Sequence, residues 1–143
     1  MLVSTKGRYA LRVMIDLAEH QGEGFIPLKV IAQRQEISEK YLESIIKLLV
    51  KARLLTGVRG KGGGYQLTKA PDQYTAGAIL RLTEESLEPV ACLEQDAAAC
   101  PKAAACRTLP LWQGLSDVIN EYLDQITIAD LMRRGDVGDD YVI

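Results

Sequence analysis

Apolar residues at Ala10, Val13, Met14, Leu17 and Ala18 recur at i, i+3, i+4, i+7 and i+8, the period of one buried helical face. They predict a first helix from just after Ser4-Thr5 to about His20, ended by Gly22 and Gly24. Pro27 marks the next start, and Leu28, Ile31 and Ala32 give a short second helix its inner face. Ser38 is a good N-cap for a third helix, with Ile37 and Leu42 at the two positions of a hydrophobic staple. Leu42, Ile45, Ile46 and Leu49 face inward there, whereas Glu39, Lys40, Glu43, Ser44, Lys47 and Lys51 face outward. Two strand-like runs follow, Leu54 to Val58 and Tyr65 to Thr68, around the turn Arg59-Gly-Lys-Gly-Gly-Gly64. The order of elements predicts a mainly α chain with a small β-hairpin wing, a winged helix-turn-helix.

Beyond Ala70-Pro71-Asp72 a modest helix is expected from about Thr75 to Glu84, then an irregular, alanine-rich stretch from Ser86 to Leu109. A long helix from about Leu111 to Ile126 carries Trp112, Leu115, Ile119, Tyr122 and Ile126 at spacings of 3, 4, 3 and 4, a coiled-coil seam. A second apolar line, Leu111, Val118 and Leu123, means that both sides need cover, one from the chain's own body and one from a symmetry mate. Thr127 to Asp130 reads as the capping box of a last short helix, and the acidic tail after Arg134 is expected to be partly ordered at best. The organisation is thus a winged helix-turn-helix over 1–70 and a cysteine-containing sensor loop with a dimerisation helix over 71–143.

Charge sharpens this picture. The net charge of −2 hides a balance of +6 over residues 1–70 and −8 over 71–143. A basic front half suits a polyanion bound at one end of the molecule. The third helix and a glycine-rich wing tip with two cations point to duplex DNA, with Ser38, Lys40, Tyr41, Glu43, Ser44 and Lys47 from the helix and Arg59 and Lys61 from the wing. The 48% hydrophobic content supplies a core. No apolar run approaches the ~20 residues of a membrane span, and no secretory signal opens the chain, so a cytoplasmic location is expected.

Cys92, Cys100 and Cys106 form Cys-x7-Cys-x5-Cys and are the only cysteines. Three thiols cannot all pair, and a reducing compartment keeps them free. Their clustering in one loop suits a soft metal centre, zinc or iron–sulfur. A thiol redox switch and inert loop cysteines are the competing readings. No fourth ligand is evident: His20, the one histidine, lies in the other half, and Glu88, Glu94, Asp96 and Asp117 are the nearest carboxylates. A partner-subunit residue, a water or a small thiol would serve equally. The glycines at 60, 62 and 64 lack the lysine-Ser/Thr ending of a phosphate-binding loop, so an enzyme is disfavoured.

Together these residues resemble the Rrf-two family of bacterial winged-helix transcriptional regulators, with IscR-like and CymR-like members. The matching pieces are Ser4 to Ala10, Ile37-Ser38-x-x-Tyr41-Leu42-Glu43, Val58-Arg59-Gly-x-Gly-Gly-Gly-Tyr65, the cysteine loop, and Leu111-Trp112 before a long helix. The resemblance implies a homodimer joined through the long helix and bound to double-stranded operator DNA. In it the third helix reads bases and the wing arginine, here Arg59, enters the minor groove. It also implies a 2Fe-2S or 4Fe-4S cluster on Cys92, Cys100 and Cys106, and a regulator that is most simply a repressor. The alternative is a cluster-free repressor of cysteine or sulfur metabolism, controlled by a regulatory partner protein or by thiol oxidation. A bare dimerisation module and an enzyme are remoter. The chain departs from the pattern at Leu109, where IscR-like members carry a histidine ligand, at Arg8, where other members carry a ligating aspartate, and in its longer first cysteine gap.

Overall fold

The computed structural model describes residues 3–95, 97–98 and 100–137, with side chains given through 132. Helix α1 (Thr5–Glu19) starts where Ser4 accepts a hydrogen bond from the Gly7 N–H at 3.0 Å. Its expected inner face, Ala10, Val13, Met14, Leu17 and Ala18, is buried. Helix α2 (Leu28–Gln35) follows Pro27 and ends at Glu36, whose φ of 55° is left-handed. That reversal turns the chain into α3 (Glu39–Lys51), capped by Ser38, which accepts from the Tyr41 N–H at 3.1 Å. Ile37 is half-buried and packs against the core to which buried Leu42 belongs. Asp16, only 4% exposed, sits between α1 and α2. It accepts from Arg34 at 2.6 and 3.0 Å and from Gln35 at 2.8 Å, so the angle between these helices rests on a satisfied buried charge.

Strands β1 (Leu55–Val58) and β2 (Gly64–Leu67) pair antiparallel, with Leu55 opposite Leu67 and Val58 opposite Gly64. Ile26 adds a bridge on the other side of β2, exchanging hydrogen bonds with Tyr65 at 2.8 and 2.9 Å. The backbones come so close that a Cβ on Gly64 would meet the Ile26 carbonyl at 2.3 Å, and φ there is +148°. Only glycine fits. The base of the hairpin is pinned by Tyr74, 2% exposed, whose hydroxyl donates to the Leu54 carbonyl and accepts from the Thr68 and Lys69 N–H groups, each at 2.9 Å.

Helix α4 (Ala76–Thr83) is capped by Thr75. Two short 3-10 turns at 91–93 and 103–105 lead to α5 (Leu109–Gln125) and α6 (Ile128–Val137). The capping box of α6 is present: Thr127 N–H donates to the Asp130 carboxylate and Asp130 N–H to the Thr127 hydroxyl, both at 3.0 Å. One core joins α1, α2, α3 and the wing to Tyr74, Ile79 and Ile128, so α4 and α6 pack on α1. The end of the acidic tail, 138–143, lies outside the described residues.

Helix α5 departs from expectation in two ways. It begins at Leu109 rather than Leu111, with Pro110 in the first turn, a position proline favours. The expected seam is also divided. Leu115 and Tyr122 are exposed, 40% and 54%, together with Leu111 at 61% and Val118 at 62%. Trp112, Ile119, Leu123 and Ile126 are half-buried. Apolar residues fill a wide arc of this helix, and α4 decides which part is covered: Arg81 grips Asp124 at 2.7 Å and Asn120 at 2.8 Å.

Candidate nucleic-acid interface and cysteine pocket

Helix α3 and strand β1 stand side by side with a groove of about 580 Å³ between them. Lys47, Lys51 and Arg59 supply its cations, Glu43 an anion, and Val50 and Val58 part of its apolar floor. Lys47 approaches Glu43 at 3.6 Å, but both side chains are largely exposed, 75% and 52%, and such a pair holds charges only weakly. Its cation stays available to another anion.

The residues singled out on α3 differ in their freedom. Lys40, Glu43 and Lys47 are exposed, as are Arg59 and Lys61 on the wing. The Ser38 hydroxyl is engaged as the α3 cap, and the Ser44 hydroxyl donates to the Tyr41 carbonyl at 2.6 Å. Tyr41 is half-buried, its ring edge-on to Tyr9 at 6.0 Å. Tyr9 in turn carries the Arg12 guanidinium at 4.6 Å. Lys61 is at the wing tip and does not line the groove. Lys51 does, although it was not among the chosen residues. Its position one helical turn after Lys47 is the signal that could have found it.

At the other end of the sequence Cys92, Cys100 and Cys106 line one pocket of about 290 Å³ together with Leu109 and Gln113 from the start of α5. All three thiols are free. The Cys106 thiol pKa is lowered, first by its hydrogen bond with the Thr108 hydroxyl, with further help from the backbone at Thr108 and Leu109. That favours the thiolate, the form that ligates metals and attacks electrophiles. Among the described residues no three of His, Cys, Asp and Glu are grouped as ligands of one ion. The shared pocket fits a thiolate-held centre in donor chemistry, with three soft donors on walls that are mainly leucine and alanine.

The carboxylates nearest in sequence do not join them among the described residues. Glu88 accepts a short hydrogen bond from Ser116 and lines a different cavity. Glu94 and Asp117 are exposed and absent from the lining, and Asp96 lies outside the described residues. His20 sits at the end of α1 with Nδ1 2.8 Å from the Asp16 carbonyl. Arg8 is exposed and donates to Thr5 at 3.2 Å.

The profile of the Rrf2 family, described as an iron-dependent transcriptional regulator, matches residues 3–134. The chain belongs to the Rrf2 family. The HTH-type transcriptional regulator IscR of Sodalis glossinidius is 40% identical over 139 residues, covering 97% of this chain and 83% of that relative. Among solved structures, CymR, the global cysteine regulator of B. subtilis, matches with a TM-score of 0.75 at 41% identity, over 93% of this chain and 97% of that one. T. potens IscR matches with a TM-score of 0.73 at 38% identity, over 100% and 93%. The Rrf2 fold of helices with a two-stranded hairpin is thus the fold expected from the sequence, and the chain is a transcriptional regulator rather than an enzyme. Among its described residues no helix is long and apolar enough to cross a membrane.

Proposed function

We propose that this chain is a cytoplasmic, homodimeric, DNA-binding repressor whose cysteine pocket holds an iron–sulfur cluster. In this reading residues 1–70 bind the operator. Helix α3 enters the major groove with Ser38, Lys40, Glu43, Ser44 and Lys47, and Tyr41 braces it against α1. Arg59 enters the minor groove, whose narrow form attracts a guanidinium, while Lys61 and Lys51 face phosphates. Residues 71–143 sense and dimerise. The outward apolar stripe of α5, Leu111, Leu115, Val118 and Tyr122, is exposed in the single subunit, and a second copy of the same helix is the simplest cover for it.

Cys92, Cys100 and Cys106 would hold the cluster, which supplies a centre that iron supply and oxidants can add or remove. Ligation by Cys106 would fix the loop three residues before α5 begins. From α5 the contact passes through Arg81 to α4, and from Glu84, which caps the end of α4, to Ser4 at the head of α1. Two reading heads about one helical turn of DNA apart, ~34–36 Å, need accurate spacing, so a small shift of α5 changes affinity.

The observation that carries this reading is that all three thiols line one pocket at the first turn of α5. Its test is iron and sulfide content with the visible spectrum after anaerobic reconstitution. Wild type should bind both, and Cys92→Ala, Cys100→Ala and Cys106→Ala should not. Equal, near-zero content in all four proteins would leave a thiol switch, which the lowered Cys106 pKa favours as the second reading.

A further inference from the structure

We propose that the side-chain amide oxygen of Gln113 is the fourth protein ligand of the centre held by Cys92, Cys100 and Cys106, an inference that rests on the cluster reading above. Three thiolates leave one position of a four-donor set open. Leu109 stands in the pocket wall but carries no donor atom, and among the described residues the rest of the wall beyond the cysteines is leucine and alanine, with one exception. Gln113 is the exception, among the described residues of that lining the one side chain besides the thiols that can ligate. Among the described residues its amide enters no hydrogen bond.

Helix geometry explains how position 113 can serve a site built around position 109. The two lie one turn apart on the same face, their Cα atoms about 6 Å apart along the axis. Long helical side chains lean toward the N-terminus and cover the turn before their own Cα. Gln113 therefore extends back over Leu109, toward the loop that carries Cys106. Its carbonyl oxygen is neutral and harder than a thiolate, acceptable to iron but more easily displaced than sulfur. A set of three thiolates and one amide also carries one negative charge fewer than four thiolates, and lower negative charge raises a cluster's reduction potential.

The test uses full-length protein loaded anaerobically with ferrous iron and sulfide, as wild type, Gln113→Leu and Gln113→Cys. Two quantities are read: the rate at which EDTA bleaches the visible absorbance, and the reduction midpoint. Gln113→Leu should lose the cluster at least about tenfold faster, the low end of what losing even an outer-shell partner costs in metal affinity, or fail to assemble it. Gln113→Cys should lose it more slowly than wild type and titrate at a lower potential. Gln113 is exposed, so the cluster-free variants should share the wild-type melting curve. Wild-type bleaching rates and potentials in both variants would overturn the proposal and assign the position to a water, a small thiol or the partner subunit. Wild type that takes up no iron and sulfide would instead overturn the cluster reading itself.

Discussion

The Glu84 carboxylate accepts two hydrogen bonds from Ser4, from its N–H at 3.0 Å and its hydroxyl at 2.7 Å. It thereby ties the end of α4 to the head of α1. The same hydroxyl caps α1 by accepting from Gly7, and a methyl group on Gly7 would lie 2.1 Å from the Glu84 oxygen. Ser4→Ala should cost about 1–2 kcal/mol, the range for a lost N-cap with a charge-assisted bond. In urea this appears as a lower midpoint with unchanged slope. Gly7→Ala pushes the carboxylate aside and should act in the same direction. The double variant should lose less than the sum, because both changes act on one contact. Additive losses would show that the two residues act separately.

The outward stripe of α5 makes a sharper test of dimerisation than its half-buried side. Val118 is 62% exposed in the single subunit, so Val118→Asp should leave each subunit folded. A second copy covering that face would desolvate the new carboxylate at a cost of several kcal/mol. Sedimentation should therefore report a dimer for wild type and a folded monomer for the variant. An intact Val118→Asp dimer would place the subunit interface elsewhere.

Arg59→Ala and Lys51→Ala should fail differently on DNA. Arg59 is expected to read groove shape, so its loss should weaken operator binding by about 1–3 kcal/mol and relax sequence preference. Loss of Lys51, proposed to face a phosphate, should weaken operator and random DNA alike and lower the salt slope by about 1. Mobility-shift titrations at several salt concentrations check both. Equal effects on the operator-to-random ratio would remove the distinction between the two cations.

How much of this was legible in the sequence depends on the range of the interactions involved. Ser4, Ser38 and Thr127 cap helices through groups three residues away, so a short window of sequence contains the whole motif. The wing tip was readable because Gly60 and Gly62 have a local backbone reason, φ of +94° and +78°, whereas the approach of Ile26 to Gly64 is long-range. Which arc of α5 is covered was not readable, since that depends on Arg81 reaching Asp124, 43 residues further on. Asp16 gave no warning either: its burial is tolerable only because Arg34, eighteen residues on, faces it. The cysteine loop was visible as a cluster of thiols, but Gln113 enters that pocket through the direction of a helical side chain, which leaves no pattern in the sequence.

Cys106 provides a pH-dependent readout. Its pKa is lowered, with the Thr108 hydroxyl the leading cause, so its thiolate persists to lower pH than an ordinary thiol allows. Thr108→Val removes that bond and should move the half-maximal alkylation rate of Cys106 to higher pH. The profile is measured with iodoacetamide on a Cys92→Ser/Cys100→Ser background, where Cys106 is the single thiol. The backbone at Thr108 and Leu109 also contributes, so part of the lowering should survive. An unchanged profile would mean that the hydroxyl does not stabilise the thiolate.

In the proposed mechanism the state of the cysteine pocket sets the affinity of the α3 and wing surface for DNA. The direct measurement is an anaerobic operator titration of one preparation before and after its iron is removed, at fixed salt and with iron and sulfide assayed in both samples. A coupling of the usual size, about 1–3 kcal/mol, gives roughly a 5- to 150-fold change in dissociation constant. A change in that range is expected, abolished in Cys106→Ala. Superimposable titrations from fully loaded and fully stripped protein would contradict it.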